Sequence, residues 1–167
     1  QMCIRDSLTP AAPSGINAIS FSVIRIFIMN IFRWKFWCKP MPPNFSSAFY
    51  GVLHDFKKDD ALRIFKNYYS PESGRAICEI GFPFFYSNSP TKVDEKDILC
   101  PTLIIGSGRD RITPIQISKK LKKKLGKKTE LIIFEKFSHY IMEGNEFKEV
   151  FAKITDWISK KIGDSAV

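Results

Sequence analysis

Two short, uninterrupted apolar runs, each followed by a helical pattern, constrain this chain more than any other feature. Thr102–Gly106 (TLIIG) starts after Pro101 and stops at a glycine, and Glu130–Phe134 (ELIIF) repeats the type. Runs of this length without polar alternation suit strands buried on both faces, as in parallel sheets. Between them, Thr113-Pro114-Ile115-Gln116 reads as a helix start, with Thr113 as N-cap, Pro114 in the first turn and Gln116 completing a capping box. Ile117, Leu121 and Leu125 follow at four-residue spacing, and Gly126 is a natural stop. After the second run, Glu146–Lys161 carries a 3.6-residue apolar stripe through Phe147, Val150, Phe151, Ile154, Trp157 and Ile158. Strand–helix–strand–helix predicts an α/β fold of about three parallel strands flanked by helices, joined by right-handed crossovers.

The residues before Lys96 pattern differently. Ile19–Trp37 is densely apolar, but Arg25, Arg33 and Lys35 interrupt it. The uncharged stretch between the arginines is far short of the ~20 residues that a membrane span requires. The segment is expected to be a helix buried by the rest of the domain, with an interfacial helix as the alternative. Asp59–Tyr69 reads as a second helix, and Ser70-Pro71 as the cap of a third that runs to about Ile80. Gly81–Pro90 is turn-rich and aromatic.

The formal charge of +9 raises the question of a polyanionic partner. The excess is local: Lys119, Lys120, Lys122, Lys123, Lys124, Lys127 and Lys128 account for most of it. They surround the Ile117–Leu121–Leu125 stripe, and several sit where cations favour a helix C-terminus, so a solvated outer face is expected. No aromatic residue interleaves with them, which argues against stacking on single-stranded nucleic acid. Contact with nucleic acid or anionic lipid is the alternative. Cys3, Cys38, Cys78 and Cys100 are dispersed, and the histidines are His54 and His139, so no metal-ligand spacing is present. The cysteines read as buried reduced thiols, which suits a cytoplasmic protein. His54 has no motif around it and is expected at the surface, as are Asp94, Asp97 and Asp156.

Position singles out two residues. Asp110 lies just past the end of TLIIG, and His139 lies in the loop after ELIIF. Side chains beyond the carboxyl ends of adjacent parallel strands converge on one edge, where ligands bind. There a carboxylate accepts the imidazole Nδ1–H, fixes the tautomer and leaves Nε2 free to take a proton. Taken singly, Asp110 is an ordinary turn residue and His139 an ordinary surface histidine. Together they are candidates for an acid–base pair.

The stretch CPTLIIGSGRDRITP, Cys100 to Pro114, resembles the strand and acid motif of α/β-hydrolase-fold enzymes. ELIIFEKFSHYIMEGNEFKEVFAKITDWI, Glu130 to Ile158, resembles their last strand, histidine loop and closing helix. The match is strongest over residues 96–158. Leu8–Gly15 (LTPAAPSG) is similar to the strand end that follows the nucleophile helix, and Ser70–Gly81 more weakly to a helix of the cap. The resemblance implies a partial α/β-hydrolase fold. Residues 1–15 would be a remnant of the core sheet, 16–95 a helical cap or lid, and 96–167 the C-terminal part of the core. It implies Asp110 and His139 as catalytic residues, a small apolar or acyl substrate, and no metal or organic cofactor. Esterase-like activity heads a list that the fold alone does not narrow.

One departure matters. There is no G-x-S-x-G anywhere; Gly106-Ser107-Gly108 has the wrong spacing and sits beside the acid. The nucleophile and the oxyanion donors are therefore expected upstream of residue 8, and Gln1–Ser7 is expected to be foreign to the natural protein. The rival expectations are a basic module for nucleic acid or a membrane surface, and a catalytically silent hydrolase-fold protein.

Overall fold

A computed structural model describes residues 5–164. Its centre is a three-stranded, wholly parallel sheet. Strand β1 (Arg5–Leu8) pairs with β4 (Thr102–Ser107), and β4 pairs with β5 (Thr129–Phe134), in the order β1-β4-β5. Of the segment Gln1–Ser7, residues 1–4 lie outside the described part, while Arg5–Ser7 run in register with Thr102–Ile104. Helix α5 (Ile115–Leu125) joins β4 to β5, and α6 (Gly144–Asp164) closes the chain. The chain is α/β, as the strand–helix alternation requires.

Strand β4 explains why its sequence is apolar without interruption. Leu103 and Ile105 face α6 in a cluster with Phe134, Ile141, Val150 and Trp157. Ile104 faces the other way, toward Ala12, Ile16, Ile117 and Leu121. Helices cover both faces, so every side chain of β4 is buried. Leu125 and Leu131 complete the α5 side, and Lys119, Lys120, Lys122 and Lys123 point outward. Gly126 ends α5 at φ 83°, a left-handed conformation that a side chain would strain.

The residues between β1 and β4 form a largely helical region with a small core of its own. It contains α1 (Phe21–Ile31), α2 (Phe45–Gly51), α3 (Lys58–Tyr68) and α4 (Gly74–Gly81). A two-residue strand β2 (Pro40–Met41) pairs antiparallel with β3 (Glu72–Ser73). Val52, Leu53, Ala61 and Ile64 are buried together, with Phe45, Phe49, Phe65 and Tyr69 around them. Ile112 and Tyr140 pack on the same cluster. They are near neighbours of Asp110 and His139, so this helical core is fastened directly to the loops at the sheet edge.

Several local expectations are corrected. Ile26 is the buried residue of α1, whereas Phe21, Ile24, Ile28 and Met29 are exposed. Apolar residues encircle that helix rather than forming a stripe, and its contact with α2 covers one side alone. Helix α4, expected to be capped by Ser70, is capped by Ser73, whose Oγ accepts from the Ala76 amide; Glu72 and Ser73 are first used in β3. Thr113 does not cap α5: its hydroxyl is committed elsewhere, and the helix begins after Pro114 without a side-chain cap. Cys100 is buried, but Cys38 is exposed and Cys78 half-buried; all three are free thiols, and Cys3 lies outside the described residues.

Candidate active site

The carboxyl ends of β4 and β5 bring Asp110 and His139 together. Asp110 Oδ2 lies 2.8 Å from His139 Nδ1. The carboxylate is fully buried, while the imidazole keeps 26% of its side-chain surface. Burying a charge is costly unless its lone pairs are used, and here they are. Oδ1 accepts from the amides of Ile112 (2.8 Å) and Thr113 (2.7 Å), and Oδ2 also accepts from the Thr113 hydroxyl at 2.7 Å. The Ile112-Thr113 turn thus wraps its own donors around the acid and holds it toward the histidine.

Thr113 is the residue whose role the sequence misassigns. Its Oγ1 lies within reach of Asp110 Oδ2, the Thr9 carbonyl (3.2 Å) and His139 Nδ1 (3.4 Å). It links the end of β1 to the pair. Thr9 carries φ 40°, a left-handed value unusual for a β-branched residue, just where its carbonyl meets Thr113. A Thr-Pro pair before an apolar helix signals a cap from sequence; only the tertiary structure redirects the hydroxyl.

Two glycine-loop contacts set the separation of the loops. The Gly108 amide donates to the Phe134 carbonyl and the Arg109 amide to the Phe137 carbonyl, both at 2.9 Å. A Cβ on Gly108 would lie 2.5 Å from the Glu135 carbonyl oxygen. The acid loop and the histidine loop therefore touch backbone to backbone. On the other flank, Arg109 pairs with Asp55 at 2.7 Å, and Arg111 donates to the Tyr50 carbonyl at 2.9 Å while stacking over the Tyr50 ring. These ties join the acid loop to the helical region, and nothing local in the sequence announces them.

His139 opens into a cavity of about 440 Å³ bounded by α1, α2 and the β3 approach, with Phe27, Met41, Val52, Tyr69, Ile112 and Tyr140 among its walls. Burial pushes the Tyr69 phenol up to about 12, with help from neighbouring Tyr140, so it stays protonated. The Tyr140 phenol is raised too, first by burial and then by Glu143. The cavity wall is thus mostly apolar, with the Tyr69 and Tyr140 phenols neutral and Asn30, Asn44, Ser47 and Glu72 as its polar members. Among the described residues no hydroxyl or thiol is hydrogen-bonded to His139 Nε2, the nitrogen a nucleophile would need.

His54 is not a surface residue. Its side chain is 7% exposed, and neither ring nitrogen has a hydrogen-bond partner among the described residues; Asp55 Oδ1 is 3.9 Å away. It directly follows the buried Val52 and Leu53, within the electrostatic reach of Arg111, Asp55, Arg109 and Asp110. Burial, then the Arg111 charge, holds its pKa below the usual 6.5. Asp94, Asp97 and Asp156 are exposed, as expected. Among the described residues no three His, Cys, Asp or Glu side chains gather as a metal site, and no helix is long and apolar enough to cross a membrane. Neither the protein-family models nor the curated proteins include a match to this chain.

Proposed function

We propose that this chain carries the acid–base part of an α/β-hydrolase-fold enzyme acting on an ester-like or other acyl bond. The observation that supports the reading best is the 2.8 Å contact between a fully buried, triply hydrogen-bonded Asp110 and a half-buried His139 beside a mostly apolar cavity. In this scheme Asp110 accepts the Nδ1–H, holds the imidazole in one tautomer and stabilises the imidazolium as it forms. Nε2 takes the proton of a nucleophile and later returns it to the leaving group. Thr113 keeps Asp110 oriented. The helical region from 16 to 95 serves as a cap, and its apolar lining favours an apolar acyl group over a charged one. Residues 8–167 contain no elbow serine, so the nucleophile is assigned to sequence outside them.

The test is p-nitrophenyl ester hydrolysis by the natural gene product that contains these residues, compared with its His139→Ala and Asp110→Asn variants. Loss of kcat by several orders of magnitude in both supports the proposal. Hydrolysis that survives both substitutions sinks it.

A further inference from the structure

A second surface, whose cavity reaches Ile112 and Thr113 beside the acid, turns apolar side chains outward. Phe32 is 83% exposed and Trp34 78%, and Phe21 and Met29 are exposed beside them. An apolar cavity of about 440 Å³ is walled by Ile24, Ile28, Phe32, Ile80 and Phe82, and the exposed rings of Phe84 and Phe85 pack on Phe82 at its rim. These two rings pack on each other, centroids 4.5 Å apart. So much apolar surface around one opening marks an interaction site.

Charge identifies the occupant. Between Asp6 and Asp55 the sequence has no acidic residue, and its charged side chains are Arg25, Arg33, Lys35 and Lys39. Arg25 lies over the Tyr50 ring and Arg33 donates to the Pro40 carbonyl, while Lys35 and Lys39 are exposed. A second copy of this chain, packed face to face, would set these cations against themselves. A bilayer surface with anionic headgroups neutralises the cations and takes up the aromatic rings, and tryptophan beside lysine suits that boundary. Helix α1 has 11 residues, too few to span, but enough to lie in the headgroup–acyl plane. We propose that α1, the Arg33–Lys39 turn and Phe84–Phe85 form a docking face for an anionic phospholipid surface, with the apolar cavity opening toward the acyl layer.

The full 167-residue chain is mixed with phosphatidylcholine vesicles and with vesicles that also contain phosphatidylglycerol, and followed by co-sedimentation and tryptophan emission. Trp34 and Trp37 lie on or beside the face, whereas Trp157 is buried, so a spectral change reports this surface. Binding to the anionic vesicles with a blue shift is expected. Phe32→Ser/Trp34→Ser should weaken it about tenfold or more, and Lys35→Gln/Lys39→Gln several-fold. All four side chains are exposed, and circular dichroism checks that the fold persists. Neutralising Lys119, Lys120, Lys122 and Lys123 should leave the blue shift in place. The proposal is overturned if neither vesicle binds, or if binding follows the α5 lysines and ignores the α1 variants. It is equally overturned by a dimer, seen in light scattering, that Phe32→Ser/Trp34→Ser dissociates without any vesicle binding.

Discussion

Asp110 Oδ2 sits 2.8 Å from His139 Nδ1, and the two side chains reach that distance from different loops because those loops touch through their backbones. The acid is held from its own side by the Ile112 and Thr113 amides. The histidine is held from the other by Tyr140, packed into the helical core. Neither loop alone fixes the pair.

Replacing the acid therefore tests the whole arrangement. Asp110→Ala leaves two amides and the Thr113 hydroxyl without their acceptor in a buried place. A hydrogen bond to a charged group contributes about 1.5–3 kcal/mol, so a loss of about 3 kcal/mol is expected in urea unfolding. Asp110→Asn keeps an oxygen for the two amides and should cost clearly less. Equal losses for the two would show that the backbone donors do not depend on the carboxylate.

Gly108→Ala probes the spacing. The new Cβ meets the Glu135 carbonyl and must push the two loops apart. Overpacking of this kind costs roughly 1–3 kcal/mol. The sharper readout is the His139 Nδ1 proton: its downfield resonance, expected in the parent at low temperature, should disappear in the variant. A resonance that persists unchanged would mean that the loops have slack.

His54 makes stability depend on pH. Its folded pKa is depressed below 6.5, so the folded state prefers the neutral ring. The unfolded chain takes up the proton first as the pH falls. Stability is thus full above 6.5, and declines as the pH drops from there through the lower folded value. His54→Leu, close in volume, should flatten this part of the profile when unfolding is measured at several pH values. It should also leave the pH 8 stability unchanged or improved, because two unpaired nitrogens leave the interior. A variant with the parent's pH dependence would locate the effect elsewhere.

Strands β4 and β5, helices α5 and α6 and the Asp110–His139 approach were legible because each rests on a local periodicity or on position along a parallel strand, whereas β1, β2 and β3 carry no such local signal. TLIIG predicts β4 to within a residue, since a doubly covered strand must be apolar throughout. What was not legible depends on partners distant in sequence. Thr113 looks like a cap until Asp110 and Thr9 claim its hydroxyl. His54 has no local signature of burial, and three of the charges that act on it, Arg109, Asp110 and Arg111, come from the acid loop far along the chain. The apolarity of Ile19–Trp37 suggests an interior helix, but hydrophobicity does not specify how many neighbours will surround it, and α1 has few.

The lysines of α5 should be dispensable to folding. Lys119, Lys120, Lys122 and Lys123 are exposed, and the helix is held through Ile117 and Leu121. Changing all four to Gln should alter stability by about 0.5 kcal/mol per site at most, and less where the helix dipole contributes little. Heparin retention of the parent should fall steeply with salt and be weaker in the variant. Retention that resists high salt would point instead to a shaped polyanion site on this helix.

The last expectation concerns turnover by these 167 residues alone. If Asp110 and His139 are the acid–base part of a hydrolase, they still lack what makes an acyl-enzyme. His139 Nε2 has no hydroxyl or thiol hydrogen-bonded to it among the described residues, and the sequence has no G-x-S-x-G elbow. Positioned oxyanion donors are often the largest catalytic contribution, and loss of a single one costs roughly 10²–10³ in rate. The chain should therefore hydrolyse a short p-nitrophenyl ester no faster than free imidazole at equal concentration. His139→Ala should lower even that background, without a burst phase in either protein. A burst in the parent that vanishes in the variant would reveal a nucleophile within these residues. It would then be sought among the serines nearest the pair, starting with Ser138, whose hydroxyl now donates to the Val52 carbonyl at 3.4 Å.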